Sequence, residues 1–273
     1  MKKCLFVLTT CIILGSCAMD DTNMSVSDSP SADDIPEPAQ PLDSGGQQEV
    51  EESPVPDEPP CEEQPPVYRI PELIINELGT ESVIVSGTTR AEFIEFKIKT
   101  DGNLGGLRVF ILANSASPVQ TVYDFPTVEV KKDEFVVLHL RTSDPSSIDE
   151  LGTNLAESGG HNSSPTARDL WLSGTDKRLY KTAIVYIADL NGAIIDVVIM
   201  SDNPLASWQS AQFIETASLI NTQSAWSGLP FNSSSATSTR TINRYAVTQS
   251  AINSSANWYI TPTSGATPGA PNR

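Results

Sequence analysis

The aromatic residues of this 273-residue chain are segregated, and that limits where a core can form. None of its 18 Phe, Trp and Tyr residues lies between Ala18 and Pro66, whereas ten of its 20 prolines do. The same stretch holds fourteen Asp and Glu and no Lys or Arg. Runs such as Pro36-Glu37-Pro38 and Pro54-Val55-Pro56-Asp57-Glu58-Pro59-Pro60 bury too little apolar surface to offset their ordering entropy. Residues 17–67 therefore read as a disordered acidic linker, opened further by proline and like charge. Such a linker reaches roughly 40 Å as a coil and ~150 Å fully extended. Most of the formal charge of −17 sits there; beyond it and the two leader lysines, 20 acids face 15 bases. With no basic stripe to displace counterions from phosphates, nucleic acid is not an expected partner. One sizeable folded domain, residues 68–273, accounts for the rest.

Residues 1–16 read as a signal peptide. Lys2 and Lys3 form a positive n-region, and Leu5 to Leu14 is an apolar run too short to span a bilayer. Leu14-Gly15-Ser16-Cys17 resembles the bacterial lipobox, with two small residues before the thiol that accepts diacylglycerol. The resemblance implies acylation of Cys17 and anchoring in a membrane, since two or three chains hold where one does not. Ala18, rather than Asp, follows the cysteine, which favours the outer membrane of the cell envelope. Cys4 and Cys11 leave with the leader, so Cys61 is the one thiol expected to remain. It lies in Pro59-Pro60-Cys61-Glu62-Glu63, where carboxylates disfavour the thiolate. A linker thiol is the expectation; an intermolecular disulfide or a redox sensor is the alternative.

From Tyr68 onward, short apolar runs are separated by Gly, Pro, Asn and Ser. Strands are expected at Glu72–Leu78, Ala91–Lys99, Leu107–Ala113, Phe135–Leu140, Leu170–Leu172, Ala183–Ala188 and Ile194–Met200. In the second, Ile94, Phe96 and Ile98 share one face and Glu95, Lys97 and Lys99 the other, the period of a half-buried strand. Asn191-Gly192 between two β-branched runs predicts a type I′ hairpin. Leu205–Ile220 has helical spacing at Phe213, Ala217 and Ile220. Antiparallel strands with one inserted helix indicate an all-β sandwich.

Several segments resemble the lamin tail domain family. They are Ile74-Ile75-Asn76-Glu77, Glu92-Phe93-Ile94-Glu95-Phe96, Leu104 with Gly106-Leu107-Arg108-Val109, Ala188-Asp189-Leu190-Asn191-Gly192 with Ile194-Ile195-Asp196, then Arg244, Trp258 and Thr267-Pro268-Gly269-Ala270-Pro271-Asn272. The resemblance implies an immunoglobulin-like sandwich over nearly all of 70–273. Leu107 and Asn257 depart from the family's usual tryptophan and aspartate. Residues 152–165 and the helical region stand as insertions, where binding specificity tends to reside.

Chemistry is sparse. His139 falls on a strand; His161 falls on the polar loop Gly159-Gly160-His161-Asn162-Ser163-Ser164, where a triad with Asp169 and a serine lacks any nucleophile motif. Two histidines and one remaining thiol do not suggest zinc. Asp189-Leu190-Asn191-Gly192 begins like a calcium loop, but Met200 occupies the bidentate-glutamate position and turn chemistry explains the residues. No cofactor or metal is expected. Trp171, Trp208, Trp226 and Trp258 are scattered as core residues are. The expectation is a non-catalytic binding or adhesion module on a tether, its ligand a protein or polysaccharide. Residues 152–168 and 203–236 are expected to hold it, with Trp208, Trp226 and His161 as candidate contacts. The alternatives are a structural spacer of the envelope and, less supported, a hydrolase. The closing Thr267–Asn272 segment is expected to lie along a sheet edge and protect it.

Overall fold

The computed structural model describes residues 69–272 apart from 82, 86–87, 114–118, 143–144, 205–209 and 247–251. The expected signal peptide and linker, Cys17, Cys61 and Trp208 lie outside the described residues.

Two main sheets form an all-β sandwich. Its elements are β1 (Leu73–Gly79), β2 (Phe93–Ile98), β3 (Leu107–Ala113), β4 (Val119–Asp124), β5 (Phe135–His139), β6 (Arg168–Trp171), β7 (Ala183–Asp189), β8 (Ile194–Ser201), α1 (Ala211–Thr222), β9 (Phe231–Asn232), β10 (Ile242–Arg244) and β11 (Trp258–Ile260). The first sheet has the order β6-β5-β2-β1-β10-β11, the second β9-β8-β7-β3-β4. Inward side chains interleave in one core cluster: Ile94, Phe96 and Ile98 of β2 meet Val109 and Ile111 of β3 and Val185 and Ile187 of β7. Strand β1 keeps Ile75 and Leu78 in that core across an odd spacing. A bulge between Ile75 and Glu77 makes this possible, because the extra residue resets the two-residue period.

Four local expectations are corrected. The pairings are not all antiparallel: β5 with β6 and β8 with β9 run parallel, each placing a short strand at a sheet edge. The β7–β8 connection is not a type I′ turn, since Leu190 and Asn191 lack positive φ and Gly192 alone has it, at 80°. The Asp189 carboxylate explains the difference. It accepts the Asn191 and Ala193 N–H groups at 2.8 and 2.9 Å and closes the turn from inside. Helix α1 begins at Ala211, where Ser210 caps it by accepting the Phe213 N–H at 3.1 Å. Its buried Phe213 and Ile220 hold it against β7 and β8.

The fourth correction concerns the outer face of the first sheet. Glu95, expected in solvent, is fully buried, as is Glu77 on β1. The closing segment covers them. It crosses the central strands β1 and β2 instead of following an edge.

Candidate functional site

Coil lacks ladder partners, so a covering coil segment needs acceptors for its N–H groups. Over β1 and β2, glutamates supply them. Thr267 donates its N–H to Glu77 Oε1 at 3.0 Å and its hydroxyl to Glu77 Oε2 at 2.9 Å. Gly269 donates its N–H to Glu95 Oε2 at 2.5 Å. Asn272 Nδ2 reaches the Arg244 and Asn76 carbonyls at 2.8 and 3.1 Å. Burial raises both carboxyls; Glu95 is pushed up to about 8, with the Glu77 charge adding and the Asn76 hydrogen bond opposing.

Over β5 and β6, the loop after Pro145 does the covering. His139 Nε2 meets Asp169 Oδ1 at 2.8 Å, both side chains fully buried, and the imidazole stacks on Trp171 at 3.8 Å between centroids. Asp169 Oδ2 accepts the Ser164 N–H at 2.7 Å. Glu150 accepts the N–H groups of Glu157, Ser158 and Asp169. Asp169 is therefore the partner of His139, not of His161 as a triad would require. His161 is half-buried on its loop. The His139–Asp169 pair is sealed from solvent.

Two cavities open where the inserted segments meet the sandwich. The larger, about 610 Å³, is lined by Val128, Glu129, Leu151, Gly152, Leu155 and Arg168, among others. That volume falls within the ~300–1,000 Å³ of small-ligand sites. Its floor is built on Arg168, whose Nε donates to Glu134 at 2.8 Å while Nη1 donates to the carbonyls of Glu150 and Gly152. Leu151 stands 53% exposed at its lip. The smaller, about 300 Å³, is lined by Ile195, Asp196, Gln223, Ser224, Arg244 and Asn253 with neighbours. Here Asp196 joins the two sheets: it accepts from Ile75 N–H at 2.7 Å and from Arg244 Nη2 at 2.8 Å, and Arg244 lies over the Trp258 ring. Burial raises the Asp196 carboxyl, against the pull of Arg244.

The inserts at 152–168 and 203–236 each contribute a wall to one cavity. Trp226 does not: it is 3% exposed and packed in the core, so it docks the insert and presents no face to a ligand. Arg168, which organises the larger cavity, gave no sequence signal, being one cation before an apolar strand. Asp196 and Arg244 lay within the resembling segments, but their pairing across 48 residues was not legible. Among the described residues, no group of three or more His, Cys, Asp or Glu is placed to hold a metal ion.

Fold and site together describe an all-β sandwich with one helix, the outer face of its first sheet covered by coil over β1, β2, β5 and β6, and a cavity where each insert meets it. The family described as "TP_1001_2nd: protein second domain" matches residues 71–260, which is most of the chain, and the chain belongs to that family. A Treponema pallidum (strain Nichols) protein described as "Uncharacterized protein" is 32% identical over 150 residues, covering 51% of this chain. The match spans 37% of that relative's length.

Proposed function

We propose that the chain is a lipid-anchored lipoprotein of the cell envelope, outer membrane favoured, that carries a non-catalytic binding domain of lamin-tail type on an extended acidic tether. The observation that carries the binding role is the cavity of about 610 Å³ with Leu151 and Leu155 in its wall. An exposed leucine beside a mixed cavity offers an apolar anchor with adjacent polar groups, the composition of a recognition site. Lipidation at Cys17 rests on the leader and its lipobox. The ligand is a protein or polysaccharide of the envelope or its surroundings.

The test uses the full chain expressed in a lipoprotein-processing bacterium. Palmitate label should enter through Cys17 and vanish in Cys17→Ala. Envelope extracts should yield a specific ligand to the wild type and not to Leu151→Asp/Leu155→Asp with unchanged Tm. Label retained in Cys17→Ala overturns the anchor. Equal capture by the double variant, or none by either, overturns the cavity's role and leaves the structural spacer.

A further inference from the structure

The closing segment is held in a way that suits exchange. Its seat on β1 and β2 is polar: Glu77 and Glu95 take its Thr267 and Gly269 donors, and Asn76 and Arg244 take Asn272. It brings no large apolar side chain to that face; its residues are Thr267-Pro268-Gly269-Ala270-Pro271-Asn272. The connection from β11 is short and strained. After the buried Thr261, residues Pro262, Thr263 and Ser264 are exposed, and Ser264 holds φ at 61° in a turn closed by the Gly265 N–H on the Pro262 carbonyl at 3.0 Å. That left-handed position favours glycine, and serine there stores strain that an extended hinge would release. Seat and segment are complementary whichever chain supplies the segment. Short strained hinges are where identical elements pass between protomers.

We propose that the seat formed by Glu77, Glu95 and Asn76 is an interaction surface for a second copy of this chain, which delivers its own Thr267–Asn272 segment across an opened 262–266 hinge. The exchanged contacts at the seat are the same hydrogen bonds; opening the hinge gives up the Gly265 N–H bonds to the Pro262 and Thr239 carbonyls, at 3.0 and 3.2 Å, and relieves Ser264. Five hinge residues extend at most ~17 Å, so the two sandwiches would lie close together. The seat shares no residue with the larger cavity, and the inference does not rest on the proposed ligand binding.

Complementation tests it with full-length chains in detergent, micelles in excess over protein. Glu77→Ala/Glu95→Ala removes the seat but keeps the segment. Gly269→Pro keeps the seat but cannot take the φ of 79° the segment needs. Each carries a different tag. Neither should dimerise alone, and the mixture should form a heterodimer with one seated segment, seen by sedimentation and by capture through both tags. A second arm covers variants that fail to fold: Ser264→Pro forbids the closed turn and should raise the dimer fraction at least tenfold, whereas Ser264→Gly relieves the strain and should lower it. Either positive arm supports exchange. A monomeric mixture of folded variants overturns it, as does a monomeric Ser264→Pro chain that unfolds like wild type.

Discussion

Two glycines share a backbone conformation but not surroundings, and together they measure how firmly the closing segment is seated. Gly269 has φ 79° and Gly192 has φ 80°. Alanine at either position meets the same left-handed penalty of ~1–2 kcal/mol, less ~0.4–1 kcal/mol for stiffening the unfolded chain. Around Gly192 a methyl group meets nothing within 4 Å. Gly192→Ala should therefore cost about 1 kcal/mol. At Gly269 the methyl carbon falls on the Ser164 hydroxyl, 2.6 Å from Ser164 Cβ and 3.0 Å from Ala167 Cβ. Overpacking of this kind costs ~1–3 kcal/mol. The shift it forces also pulls the Gly269 N–H from Glu95, and a buried group left unsatisfied costs a further ~1–3 kcal/mol.

Gly269→Ala should thus lose about 3–7 kcal/mol, against about 1 kcal/mol for Gly192→Ala. At ~2–4 °C per kcal/mol for a domain of this size, Tm should fall by about 6–28 °C in the first and ~2–4 °C in the second. Urea unfolding followed by tryptophan fluorescence gives both free energies, with the slopes expected to match. Ser164→Gly removes the two nearest atoms and should return part of the loss when combined with Gly269→Ala. Equal losses in the two alanine variants, or no recovery with Ser164→Gly, would refute the seating of this segment against Ser164 and Glu95.

Two further outcomes follow from the buried polar groups. Burial holds the Glu95 carboxyl at about 8, above its ordinary 4.5, so the folded state binds the extra proton between those values. Its stabilisation is complete below pH ~4.5 and lost as pH rises to ~8; the urea midpoint should fall across that window, and Glu95→Gln should flatten the slope. His139→Ala leaves Asp169 buried without its ring partner and should cost about 3 kcal/mol in urea unfolding, more than His161→Ala at its half-buried loop position. Similar losses in the two would contradict the pairing of Asp169 with His139.

What the sequence revealed and what it hid divide by distance along the chain. Ile94, Phe96 and Ile98 disclosed their shared face because the period of a strand is local. Glu95 misled for the complementary reason. Alternation says which residues oppose the core, but not whether a segment 174 residues away covers the other face. The β7–β8 turn was placed correctly and typed wrongly, since Asn-Gly statistics carry no information about the Asp189 carboxylate closing the turn. The helix was legible from Phe213 and Ile220, yet its start depended on the Ser210 cap. The inserts were visible as long polar stretches. That one of them is pinned by Arg168, through carbonyls at 150 and 152, could be known only once β6 was set beside β5.

A single chemical device runs through the covered face and the sheet junction. Glu77, Glu95, Glu150, Asp169 and Asp196 are buried, and each accepts at least one backbone N–H: Glu77 and Glu95 from Thr267 and Gly269 of the closing segment, Glu150 and Asp169 from Ser158 and Ser164 of the covering loop, and Asp196 from Ile75 at the β1 bulge. A covering strand would have satisfied its own N–H groups in a ladder. A covering coil cannot, so buried carboxyls stand in for the missing strand. Such hydrogen bonds are strong when the acceptor is ionised, but burial works against ionisation, and three of the five carboxyls have raised pKa values. The result is a surface closed by directional contacts with little apolar burial. Contacts of that kind fix register closely and yet can be remade by an identical segment.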